Sequence, residues 1–139
     1  MNVSFAWTTP ALLAGRKSVT RRDWTTRFAS QFHVSDLVSA YDKLTRNHGR
    51  HVATVPVLRA PYQEALGEVP DSDYEAEGFL FFEEHPELLP TSAPWPKMNW
   101  DVFNRWRYSE PYKVLWVLRF APVGSAAALR LSQGVSTTS

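Results

Sequence analysis

The sequence predicts an α+β domain built as a small β-barrel flanked by short helices. Three observations lead there. The chain has 139 residues, a length that suits one domain with a single core. Its strongest β-branched runs, Val52 to Leu58 and Val114 to Phe120, are strand-sized. Stretches with helical spacing and capping residues lie between the strand-like runs, and none of them is long.

Val3, Phe5 and Trp7 alternate with polar or small residues and predict an opening strand with one buried face. Thr8 or Thr9 can cap a helix that has Pro10 in its first turn and Gly15 at its end. Only about two turns fit between them. The helix end delivers Arg16, Lys17, Ser18, Val19, Thr20, Arg21, Arg22, Asp23 and Trp24 into a loop or short strand. Leu37, Val38, Ala40 and Tyr41 read as a strand, paired with Val52 to Leu58 through a turn at Asn47, His48 and Gly49. From the acidic cap at Asp71, the residues Tyr74, Gly78, Phe81 and Phe82 recur at roughly helical spacing, which predicts one helix ended by Pro86. A proline-containing loop leads to Asn99, after which Trp100, Phe103 and Trp106 or Arg107 mark an amphipathic helix. Val114 to Phe120 is almost continuously apolar, as in a strand buried on both sides or closing a barrel. Residues 1–123 are therefore expected to form the domain and residues 124–139 a flexible tail.

Composition removes several function classes. There is no cysteine, which excludes disulfides, thiolate zinc sites and cysteine nucleophiles. No run of about 18 apolar residues exists, and the first 15 residues lack a signal-peptide pattern, so the expectation is a cytoplasmic protein without a membrane partner. The net charge is only +1, which argues against coating nucleic acid by bulk charge. Its distribution is uneven. Arg16 to Arg59 holds nine basic and three acidic residues, and Ala60 to Glu110 holds three basic and eleven acidic ones. Either a polyanion faces the basic part, or the two parts pair with each other in the fold.

Four blocks carry a family resemblance: Thr8-Thr9-Pro10 with Leu12-Leu13-Ala14-Gly15; Arg16-Lys17-Ser18-Val19-Thr20-Arg21-Arg22; Val34-Ser35-Asp36-Leu37; and Tyr74-Glu75-Ala76-Glu77-Gly78-Phe79. In that order they resemble the ASCH domains of the PUA-like superfamily, over about residues 3 to 121. The resemblance implies a PUA-like barrel whose cleft holds RNA or a modified nucleobase. Some small bacterial relatives look like amidohydrolases that remove the acyl group from acetylated cytidine, and others are connected with RNA cleavage. By the same resemblance Lys17 activates Thr20 as nucleophile, and Glu77, with Glu75 as the second choice, completes the set. Arg21-Arg22 departs from that branch, which has an apolar residue before the arginine; the extra cation favours a phosphate over a free nucleoside.

The residue types fit such chemistry. Amide hydrolysis needs a nucleophile, a base and donors for the oxyanion, and a lysine serves as base when burial or neighbouring cations lower its pKa. The alternative for Lys17 and Glu77 is a plain salt bridge between loop and helix, and for Thr20 an ordinary strand threonine. The first expectation is binding of nucleic acid or a modified nucleotide in a basic cleft, with Arg16, Arg21, Arg22 and Arg27 for phosphates, Trp24 for stacking and single-stranded nucleic acid or a modified nucleoside as partner; amide hydrolysis is the alternative. Trp24 can equally pack into the core. Asp71, Asp73, Glu75 and Glu77 could hold Mg²⁺ for a metal-assisted ribonuclease, or simply form a solvated helix face. His48 and His51 lack a third ligand and read as loop histidines. No cofactor and no metal are expected.

Overall fold

The computed structural model describes residues 1–130. It is α+β, with five α-helices between Thr9 and Ser109 and six strands in two three-stranded sheets. One sheet runs β1 (Asn2–Ser4), β3 (Leu37–Tyr41), β4 (His51–Pro56), and the other runs β2 (Val19–Arg22), β6 (Val114–Arg119), β5 (Tyr62–Ala65). β1 pairs with β3 in parallel and every other ladder is antiparallel.

The predicted closed barrel is corrected by this topology. The sheets touch along one seam, where Val57 bridges Phe120, Leu58 N–H donates to the Arg119 carbonyl and Ala121 N–H to the Pro56 carbonyl. Among the described residues no ladder joins the opposite edges, so both sheets stay open. The cause lies in strand length, three to six residues each. Closing a barrel requires tilted strands with a continuous staggered ladder, and strands this short cannot supply it at both edges. Side chains cover the gap instead: Val3, Phe5, Leu12, Phe32, Val38, Val55, Leu118 and Phe120 fill the space between the sheets.

Local sequence explains the helices. α1 (Thr9–Leu13) has Pro10 in its first turn, and Gly15 follows it at φ 72°, where a Cβ would meet the Val123 carbonyl at 2.6 Å. Thr8 and Thr9 donate to the carbonyls of Phe5 and Ala6 rather than capping α1, and they fold 6–8 into a 3₁₀ turn where the alternation predicts strand. α2 (Thr26–Ala29) is a single turn capped by Thr25. The single helix predicted from Asp71 is two, α3 (Asp73–Ala76) and α4 (Phe79–Glu84), because Gly78 takes φ 100° between them. A left-handed residue ends one helix and redirects the next. α5 (Trp100–Ser109) begins as predicted, with the Asn99 side chain accepting from Val102 N–H at 2.9 Å. A second apolar cluster, including Phe79, Phe82, Met98, Val102 and Phe103, packs α4 and α5 together. Residues 126–130 are helical; the rest of the tail expectation lies outside the described residues. Among the described residues no helix is long and apolar enough to cross a membrane.

Candidate functional site

A cavity of about 480 Å³ opens between the two apolar clusters. Its wall contains Lys17, Thr20, Arg21, Arg22 and Glu77, which come from distant parts of the chain. Aromatic residues Trp7, Phe79, Trp95 and Trp106 face them. The volume falls within the range of about 300–1,000 Å³ usual for small-molecule sites.

Two backbone features place Lys17 beside Glu77. After the turn at Gly15, Ser18 N–H donates to the Ala76 carbonyl at 2.9 Å, which ties the start of β2 to the end of α3. Gly78 then lets the chain pass close to α1: a Cβ there would lie 3.0 Å from that of Ala11 and 4.0 Å from that of Lys17. In consequence Lys17 Nζ donates to Glu77 Oε1 at 3.1 Å and to the Glu77 carbonyl at 3.0 Å. Both side chains are buried, at 3% and 8% exposure. Burial pushes the Lys17 ammonium below its ordinary pKa; Glu77 opposes this, and Arg22 and Arg21 add to it.

Strand alternation sorts the rest of β2. Thr20 and Arg22 share a face, and Arg22 Nε donates to Thr20 Oγ1 at 2.9 Å. Arg22 Nη2 donates to the Ser4 carbonyl, no carboxylate pairs with this guanidinium, and its Nη1 makes no hydrogen bond among the described residues. Burial lowers its pKa and Glu77 counters in part. Arg21 points the other way. Its Nη1 donates to Glu77 Oε2 at 2.5 Å, and its Nη2 to Glu64 Oε1 at 2.8 Å and to Asp73.

The structure therefore brings together Lys17, Thr20 and Glu77 in one cavity, with the Thr20 hydroxyl held by Arg22 and not by Lys17. Of the other basic residues, Arg16 is tied to Glu84 at 2.5 Å and to Glu75 at 3.3 Å. Arg27 is exposed on α2 and does not line the cavity. Trp24 stacks on Phe32 with centroids 5.0 Å apart and planes 9° from parallel, and meets Phe28 edge-on. It is half-buried against the inter-sheet core. Asp71 pairs with Arg107, Asp73 with Arg21 and Arg119. Among the described residues no three His, Asp or Glu side chains gather as a metal site. His48 and His51 are exposed.

Sequence reasoning missed the aromatic wall. Trp7 reads as a strand residue and Trp106 as helix core, while Trp95 lies in a loop between Pro94 and Pro96. A large aromatic held by two prolines, outside any periodic pattern, was the available signal. The pairing of the basic and acidic parts of the chain is visible in the ion pairs of Arg16, Lys17 and Arg21.

No family model matches the chain. No curated protein matches it either. Among solved structures, protein EF3133 from Enterococcus faecalis, described under the family DUF984, is similar at 16% identity and a TM-score of 0.47 over 85% of this chain and 71% of that one.

Proposed function

We propose that the cavity takes a modified pyrimidine nucleoside or nucleotide and hydrolyses the amide joining an acyl group to its exocyclic nitrogen. The observation that carries this reading is the buried Lys17–Glu77 pair on the wall of an aromatic-lined cavity that also holds Thr20. The resemblance of the chain's motifs to the ASCH domains supports it.

Each part has a role. Flat aromatic faces suit a base, which stacks on them with little sequence preference. Thr20 Oγ attacks the acyl carbon, and its proton passes to the neutral amine of Lys17. The depressed pKa of Lys17 serves that step, since a base works best with a pKa near the working pH. Arg22, which touches Thr20 Oγ1 through Nε, has the role of donating from its guanidinium to the negative charge that develops on the acyl oxygen. The tetrahedral intermediate collapses as the Lys17 ammonium protonates the leaving nitrogen, which departs as the free base amine. Water then attacks the Thr20 ester as the neutral amine of Lys17 takes its proton, and on collapse the Lys17 ammonium returns that proton to Thr20 Oγ, so the acid leaves with Thr20 and Lys17 both restored. Glu77 accepts an N–H of Lys17 and orients it, and its charge steadies the ammonium each time Lys17 takes up a proton.

A free nucleoside or nucleotide fits better than a strand lying along the basic run. Arg16 and Arg21 are committed to carboxylates, and Trp24 is packed against Phe32. The test is chromatographic: the protein is incubated with a panel of N-acylated cytidines and their 5′-phosphates, and the freed amine is measured. Release by the wild type and its loss in Lys17→Ala are expected. A wild-type protein inert toward the whole panel would overturn the proposal.

A further inference from the structure

One face of the β2-β6-β5 sheet carries charges that the hydrolysis does not consume. Register places Arg21 opposite Val117 and Val117 opposite Tyr62, with Glu64 and Arg119 two positions along on the same face. Asp73 of α3 lies over this face and is 2% exposed. Arg119 donates to its carboxylate at 3.1 and 2.9 Å, and Arg119 Nε donates to Tyr62 Oη at 2.9 Å. The chain of contacts thus runs from Tyr62 through Arg119, Asp73 and Arg21 to Glu77 and Lys17.

We propose that Arg21 is a positioning residue for this site: it holds the Glu77 carboxylate from behind and, with Asp73 as counterweight, sets how firmly Glu77 grips the Lys17 proton. The inference rests on the proposed function for its catalytic meaning. Its geometry is independent of it. The two Glu77 oxygens are divided, Oε1 to Lys17 and Oε2 to Arg21. The Arg21 side chain is 2% exposed and bonded to three carboxylates, so it offers almost nothing to a ligand although the residue borders the cavity.

The signs follow from charge. Lys17 is faced by Glu77, which favours its ammonium form, and by Arg21 and Arg22, which oppose it. Glu77 is faced by Lys17, Arg21 and Arg22. Removing the Arg21 charge takes away one repulsion on the Lys17 ammonium and leaves Glu77 more fully to it. Removing the Asp73 charge frees more of Arg21 and Arg119 to act on Glu77, and the ammonium is disfavoured further. Opposite responses to two substitutions in one buried network are not what simple loss of packing would give.

The experiment is an NMR titration of the Lys17 side chain in ligand-free protein. Arg21→Met should raise its midpoint by about one pH unit, a tenfold change in neutral amine at fixed pH. Asp73→Asn should lower the midpoint, and Arg21→Lys should keep it close to wild type. If Arg21→Met does not fold, Arg21→Gln and Asp73→Asn carry the test. With an acylated nucleoside as probe, kcat of Arg21→Met should fall about tenfold below the midpoint with KM unchanged. An unmoved midpoint, a shift of the same sign in Asp73→Asn, or a raised KM with unchanged kcat would overturn the inference. Because the titration needs no substrate, failure of the hydrolase reading leaves it decidable.

Discussion

Glu77→Gln removes one negative charge from the site at almost constant volume. Lys17 and Arg21 are then two cations, 3% and 2% exposed, facing a neutral amide. Breaking a buried pair by removing one partner costs about 3–5 kcal/mol. Arg21 keeps Glu64 and Asp73, and Lys17 keeps the carbonyl of residue 77, so the low end applies, about 3 kcal/mol. For a chain of this size that corresponds to a drop of about 10 °C in Tm. The loss depends on pH. A lysine whose folded pKa lies below the unfolded value binds fewer protons folded than unfolded between those two values, so stability rises with pH across that window. Glu77→Gln lowers the folded value further and widens the window. The deficit should therefore shrink as pH climbs toward 10.5, the ordinary lysine value. Urea unfolding of the wild type, Glu77→Gln, Lys17→Met and the double variant at neutral and alkaline pH measures it. The double variant should recover part of the Glu77→Gln loss, since no lysine is left unpaired. A loss under about 1 kcal/mol with no coupling, the behaviour of a hydrated surface pair, would refute the reasoning.

Gly78→Ala should destabilise by about 1–3 kcal/mol in the same assay, since φ is 100° and the new Cβ meets that of Ala11 at 3.0 Å; a neutral substitution would mean that the α3–α4 break does not need glycine. Acid unfolding should be blunted in Asp73→Asn. Burial pushes the Asp73 carboxyl up, but Arg119 and Arg21 hold it below its ordinary 3.8, so its contribution is present above that pH and is lost as pH falls through the depressed value. An acid limb identical to wild type would contradict this. Trp95→Ala should weaken nucleoside binding by about 1–3 kcal/mol, the worth of one stacking face, read as a rise in Kd by calorimetry; unchanged affinity would remove Trp95 from the ligand site.

Much of the site was legible because its chemistry is carried by local motifs. Gly15 predicts the helix end that aims Lys17, and Lys17 and Thr20 follow within five residues. Asn99 announces α5 through one side-chain acceptor. What the sequence hid depends on long-range register. Glu64 belongs to β5, whose residues Tyr62 to Ala65 show no apolar alternation, and only pairing with β6 reveals them as a strand. The partners of Arg21 come from β5, α3 and the residue after it, so the arginine that reads as a phosphate contact is a buried member of an ion network. Whether two sheets close depends on strand length and seam geometry, which a β-rich pattern leaves open. At Gly78 the helical period continued through the break and masked it.

The central claim is that Thr20 attacks an acyl carbon inside this cavity. Release of free base amine from an N-acylated cytidine, followed for the wild type, Thr20→Ser and Thr20→Ala, tests it most directly. The account predicts measurable turnover in Thr20→Ser, which keeps the hydroxyl, and none above background in Thr20→Ala. Wild-type turnover by Thr20→Ala would contradict it.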